Sequence, residues 1–179
     1  LKISAKIVNV FDGMKKKVLV MGLPGSGKSF LSRILAQLLN GVWLNADQVR
    51  ESANDWDFSV EGRKRQAERM SKLANDVLRQ DKHVFADFIC PTEETRQIFS
   101  PDFVIFMNTI SSSQYADTNR LFKPPETFDF EVKQKNAELI SYVIANQLEN
   151  YRWNNQSPTA QMLGRYQPWH QGHKKLFEE

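Results

Sequence analysis

The sequence predicts an α/β layer fold built on a parallel sheet. Three observations carry this. Short apolar runs with β-branched residues, at residues 18–21, 42–44, 84–86 and 103–107, read as buried strands. Between them lie apolar residues at helical spacing, and strands that alternate with helices imply parallel crossovers with helices packed on the sheet. A glycine-rich octet stands between the first strand and the first helix, where such folds place a ligand loop. Ligands in these sheets bind beyond the carboxyl ends of the strands, which here are Gly22, residues 45–47, residues 87–91 and residues 108–109.

Met14-Lys15-Lys16-Lys17 followed by Val18-Leu19-Val20-Met21 reads as a natural start leading into the first strand, so residues 1–13 are expected to be a non-native or extra N-terminal segment. Phe30, Leu31, Ile34, Leu35, Leu38 and Leu39 form the apolar stripe of the first helix, and Asn40-Gly41 ends it. Met70, Leu73, Ala74, Val77 and Leu78 give a second stripe at the i, i+3, i+4, i+7, i+8 spacing. Residues 137–148 make a third helix. The expected organisation is one kinase-sized domain over residues 14–149 and a polar, proline-bearing linker over residues 150–161. A short further segment over residues 162–179 follows.

Composition narrows the function classes. The chain has 179 residues, 41% hydrophobic and 25% charged, with a formal net charge of +3. That charge is too small to argue for nucleic acid and suits anionic small molecules. Cys90 is the single cysteine, which rules out a disulfide framework within the chain and fits a reducing, cytoplasmic setting. No apolar run is long enough to span a membrane.

Gly22-Leu23-Pro24-Gly25-Ser26-Gly27-Lys28-Ser29 fits G-x-x-x-x-G-K-[ST], directly after a strand and before a helix. The glycines let backbone N–H groups turn inward onto phosphate oxygens, and the following helix adds its N-terminal dipole. Lys28 is placed to reach the β- and γ-phosphates, and the Ser29 hydroxyl to ligate Mg²⁺. The octet therefore predicts binding of ATP or GTP with Mg²⁺. No N-K-x-D guanine signature occurs, and the short chain favours a small-molecule kinase.

Asp47 follows the second strand on the ligand edge, opposite the phosphate loop. A carboxylate there can accept a hydroxyl proton or hold a water of the Mg²⁺ shell; the other reading is a helix N-cap before Gln48. Arg50 and Arg63 are candidate anion clamps, because the guanidinium fork suits phosphate and sulfate. Arg63 lies seven residues before Met70, on the inward helix face, so it needs a buried partner or a ligand. Phe58 either stacks on a purine or plugs the core. Val84-Phe85-Ala86-Asp87 has the strand-then-acid form in which Asp87 supports Mg²⁺. Cys90 reads as a buried, inert thiol beside Pro91 at the rim.

Taken in order, these residues resemble the adenylylsulfate kinase family over roughly residues 15–129. The G-L-x-G-x-G-K-[ST] pattern is matched by Gly22 to Ser29, and L-D-G-D-N-x-R in part by Leu44 to Arg50. F-S-x-x-x-R is matched by Phe58, Ser59 and Arg63, and the I-S-P rim by Ile89, Cys90 and Pro91 with Arg96 following. Tyr115 stands where the family has a second stacking aromatic. The resemblance implies a three-layer P-loop kinase fold with a mostly parallel five-stranded sheet. It implies transfer from Mg-ATP to the 3′-hydroxyl of adenosine 5′-phosphosulfate (APS), with Lys28 and Asp47 catalytic. Arg50, Phe58, Arg63, Ile89, Cys90, Pro91 and Tyr115 would hold this small nucleotide substrate, and Ser29, Asp47 and Asp87 the metal. Asn45 replaces the first acid of the family's D-G-D, Gln66 replaces an Asn, and only residues 110–114 span the place of the family's basic lid. The alternatives are a kinase of another acceptor (a nucleoside, a polynucleotide end or a sugar) and an ATP-binding regulatory domain. A homodimer is compatible with either.

Gly164-Arg165-Tyr166-Gln167-Pro168-Trp169-His170-Gln171-Gly172-His173 resembles the G-R-x-Q-P-x-H-x-G-H opening of nucleotidyltransferases. This resemblance implies a natural fusion of the kinase to a nucleotidyltransferase, here cut short, with His170 and His173 idle.

Overall fold

The computed structural model describes residues 14–148. Residues 1–13, the expected linker and the motif ending at His173 lie outside the described residues. Five strands, β1 (Lys17–Met21), β2 (Val42–Asn45), β3 (Val84–Asp87), β4 (Phe103–Met107) and β5 (Phe130–Val132), form one sheet in the order β2-β3-β1-β4-β5. Every pairing is parallel. The expected "mostly parallel" sheet is therefore fully parallel among the described residues. Six helices connect and follow the strands: α1 (Lys28–Leu38), α2 (Ala46–Ser52), α3 (Val60–Leu78), α4 (Glu93–Phe99), α5 (Ala116–Leu121) and α6 (Ala137–Leu148).

The three layers follow from the period-two alternation of the strands. On β1, Val18 and Val20 face a core built with Leu31 and Leu35 of α1 and with Ile144 and Leu148 of α6. Leu19 and Met21 face the opposite core, built with Ala67, Met70, Ala74 and Val77 of α3 and with Phe99 of α4. Both faces of β1 are covered, which is why its sequence is continuously apolar rather than alternating. Each fully buried large side chain contributes roughly 1.5–3 kcal/mol by leaving water.

Two expectations are corrected. Phe30 and Leu38 belong to the apolar stripe in sequence, yet both are exposed on α1. The buried face of α1 is Leu31, Ser32 and Leu35, since the phosphate loop fixes where the helix starts and hence which face meets the sheet. No apolar run marks β5 in the sequence: Phe-Glu-Val is three residues long, and its pairing with β4 defines it.

Candidate active site

The phosphate loop leaves the central strand β1 and turns into α1. Gly22 has φ +147°, and a Cβ there would lie 2.6 Å from the Met107 carbonyl oxygen of β4, so only glycine lets the loop pass. Gly27 sits in the left-handed region as the N-cap of α1 and offers no side chain to cap it. The first N–H groups of α1 are thus left for an anion. Lys28, the first residue of α1, donates from Nζ to the Leu23 carbonyl at 2.9 Å. Burial pulls its ammonium down to about 8, against the opposing charges of Asp87 and Asp47. The Ser26 hydroxyl is buried without a protein partner. Thr109, beyond β4, donates from Oγ1 to the Ser26 carbonyl at 2.7 Å and pins the loop.

Asp87 ends β3 and is 2% exposed. Burial pushes its carboxyl above the ordinary value, while Ser29, Trp43, Lys28 and Asn45 favour the charged form. Trp43 Nε1 donates to Oδ2 at 3.0 Å, and Asn45 Nδ2 donates to Oδ1 at 2.9 Å. Asn45 is also the N-cap of α2, its Oδ1 accepting from Gln48 N at 3.0 Å. This removes the capping alternative for Asp47. Asp47 lies one residue inside the helix, in its first turn, with its side chain exposed and lining the same cavity as Lys28 and Ser29.

One cavity of about 600 Å³ takes in both the phosphate loop and the acceptor side. Arg50 and Arg63 are both buried and both line it. Arg50 donates from Nη1 to the carbonyls of Asp55 and Asp57, each at 3.0 Å, which shapes the loop before α3. Arg65 and Arg69 pair with Asp57 and Asp55, each at 2.8 Å, and brace the same loop from outside. The braced loop presents Phe58 half-exposed, with the Arg50 guanidinium 4.7 Å and the Arg63 guanidinium 5.8 Å from its ring centre. The core-plug alternative for Phe58 is thereby excluded. Arg63 has the partners its buried position requires: Nε donates to the Phe58 carbonyl at 2.8 Å and Nη2 to the buried Thr118 Oγ1 at 3.4 Å, with the exposed carboxylate of Asp117 at 3.6 Å. Ile89, Cys90, Pro91 and Tyr115 complete the wall. Cys90 is buried and burial pushes its thiol up to about 12, in keeping with an inert thiol.

The structure thus brings Lys28, Ser29, Asp47, Arg50, Phe58, Arg63, Asp87, Ile89, Cys90, Pro91 and Tyr115 to one cavity. Sequence reasoning missed Trp43, Trp56, Asp117 and Thr118. Trp43 sits inside a strand and reads only as a β-former; Asp117 and Thr118 reach Arg63 across 54 and 55 positions of sequence, beyond any local signal.

The donor chemistry of the cavity suits Mg²⁺. Ser29, Asp47 and Asp87 offer oxygen alone, and no group of three or more His, Cys, Asp or Glu gathers among the described residues. Few carboxylates beside a phosphate cradle suit Mg²⁺, which keeps waters and shares substrate phosphates.

Comparison with known proteins agrees with this geometry. Residues 18–100 match the family model described as AAA domain. A shikimate kinase of Vibrio cholerae is 30% identical over 118 residues, which are 62% of this chain and 68% of that protein. The fold is shared with APS kinase of Mycobacterium tuberculosis, solved in complex with AMPPNP and APS: TM-score 0.62 at 20% identity, over 76% of this chain and 99% of that one. It is shared too with a sugar kinase from Janibacter sp. HTCC2649: TM-score 0.58 at 13% identity, over 76% of this chain and 95% of that one. No described helix is long and apolar enough to cross a membrane. With its all-parallel sheet, its phosphate loop and a shikimate kinase relative, the chain belongs to the P-loop kinases of small molecules.

Proposed function

We propose that the chain transfers the γ-phosphoryl group of ATP to a hydroxyl of a small, anionic, nucleotide-like acceptor, with APS as the leading candidate. One observation carries this reading: a single cavity joins Lys28, Ser29 and Asp47 to two buried arginines and to the half-exposed rings of Phe58 and Tyr115. A planar ring can lie against these aromatics while its phosphate or sulfate meets the arginines.

In the reaction the acceptor oxygen forms a bond to the γ-phosphorus as the bridging bond to the β-phosphate breaks. ADP leaves, and the hydroxyl proton passes to Asp47. Lys28 and the loop N–H groups hold the phosphates in line and offset their growing charge. Ser29 and Asp87 would hold Mg²⁺, which supplies charge neutralisation at the phosphates when bound. Arg50 and Arg63 fix the acceptor so that its hydroxyl faces the phosphate loop.

A second acceptor class is favoured by a separate observation. The 30% identical relative is a shikimate kinase, and the segment over residues 110–114 is short, which suits a compact hydroxy acid. ADP release from Mg-ATP, measured with APS, shikimate and a panel of sugars, separates the two. APS-dependent release that disappears in Asp47→Ala supports the proposal. Release with shikimate alone transfers the proposal to that acceptor. ADP binding with no release on any acceptor overturns it.

A further inference from the structure

The structure assigns to Asn45 a role beyond capping: we propose that its amide is a clamp that sets the two site carboxylates, Asp87 and Asp47, in fixed relation. The proposal rests on the phosphoryl-transfer reading of the site. Both ends of one side chain are used. Nδ2 donates to Asp87 Oδ1 at 2.9 Å, and Oδ1 accepts from Gln48 N at 3.0 Å, inside the turn that carries Asp47. Trp43 completes the fixation of Asp87 from the other side, its Nε1 donating to Oδ2 at 3.0 Å. Each Asp87 oxygen therefore has a protein donor from β2, and the carboxylate plane is held.

The register of the sheet makes this geometry possible. Asn45 lies directly opposite Asp87 in the β2–β3 pairing, and Trp43 opposite Phe85. Asn45 is also the last residue of β2 and the residue before α2, so one position meets both neighbours. The Asn amide serves both, because one neighbour needs a donor and the other an acceptor and its two ends are spaced to reach them. Alanine serves neither. A serine caps α2 but is too short to reach Asp87 as well. Trp43 and Asn45 are positioning residues: they act through the carboxylates and not on the substrate. Outer partners of this kind typically change metal affinity by about 10–100-fold when removed.

Three variants of the full chain test the clamp. ADP binding is measured directly by calorimetry in Mg²⁺ and in EDTA, and kcat with the accepted acceptor. Trp43→Phe and Asn45→Ser each remove one Asp87 bond and leave α2 capped. Each should weaken the Mg²⁺-dependent part of ADP affinity by about tenfold and leave affinity in EDTA within about twofold. Asn45→Ala removes the cap too, and its kcat should fall about fivefold below that of Asn45→Ser. Unchanged Mg²⁺ dependence in Trp43→Phe and Asn45→Ser overturns the Asp87 half of the clamp. Equal kcat in Asn45→Ala and Asn45→Ser overturns the Asp47 half. Failure of the acceptor assignment leaves the calorimetric arm intact, so the two failures are told apart.

Discussion

Raising the pH through 8 should weaken nucleotide binding by removing one positive charge from the phosphate loop. Lys28 is drawn from 10.5 to about 8, first by burial, with Asp87 and Asp47 resisting. The difference corresponds to roughly 3 kcal/mol in favour of the neutral amine. In the unfolded chain the lysine keeps its proton up to its ordinary value. Between the two values the unfolded state therefore binds more protons, and the lysine's contribution to stability rises with pH; below 8 the full burial cost stands. A bound polyphosphate reverses the preference by placing negative charge beside the ammonium. Binding above pH 8 must then take up a proton. For a bound-state value above 10, ADP affinity should fall about 25-fold between pH 7.5 and 9.5, with about 0.8 proton taken up per ADP at pH 8.5. Calorimetric titration in EDTA, in buffers of different ionisation enthalpy, reads both quantities. Lys28→Met should bind weakly and flatten the profile. A flat profile in the unsubstituted chain, or the same slope in Lys28→Met, would refute the assignment of this charge to Lys28.

Four further substitutions follow from the packing. Gly22→Ala places a Cβ 2.6 Å from the Met107 carbonyl at an unfavourable φ, and should cost about 2–4 kcal/mol. Thermal unfolding would then show a Tm lower by roughly 5–15 °C. Phe58→Ala should change stability by less than about 1 kcal/mol, because the ring is half-exposed, yet raise the acceptor KM about tenfold through the lost stacking and cation–π contact. Phe99→Ala should do the reverse: the ring is fully buried against Phe88 and Lys17, so about 3–5 kcal/mol of stability is lost in a denaturant titration. Asp117→Asn removes the solvent-facing carboxylate 3.6 Å from buried Arg63, which keeps its bonds to Phe58 and Thr118, and should cost no more than about 1 kcal/mol of stability. The same change should lower the KM of an anionic acceptor in steady-state assays, since Arg63 no longer has a competing carboxylate.

Much of the fold was legible because its determinants are local. Four of five strands announce themselves as apolar runs, and the helical pattern over residues 137–148 coincides with α6, Ala137–Leu148. The phosphate loop was legible for a different reason: its glycines answer to backbone geometry that few sequences satisfy by chance. The misreadings have the opposite character. Whether Phe30 is buried depends on the rotation of α1, which the loop sets and periodicity does not. Which of the two readings of Asp47 holds depends in part on where β2 ends, and the cap of α2 falls two residues earlier, on Asn45. Trp43 and Thr118 matter through partners far away in sequence, which one chain read alone cannot pair.

The short segment after β4 carries more of the site than its length suggests. A basic lid would cover the nucleotide with charge; residues 110–114 contain none. Yet the segment touches both halves of the cavity. At its start Thr109 holds the phosphate loop through the Ser26 carbonyl at 2.7 Å. At its end α5 meets Arg63 through Thr118 and Asp117. Between them Asn119 accepts from Ser113 N at 2.9 Å and donates to Ser113 O at 2.8 Å, closing the turn on itself. A phosphate arriving at the loop and an anion arriving at Arg63 thus act on opposite ends of one braced connection. Coupling between nucleotide and acceptor binding would run through it without a lid, because the same chain segment is hydrogen-bonded to the phosphate loop at one end and to Arg63 at the other. By linkage the effect must be reciprocal: whatever factor ADP adds to acceptor affinity, the acceptor adds to ADP affinity. Thr109→Val keeps the shape and removes the pin, so it should lower that factor in both directions while leaving each separate affinity within about threefold.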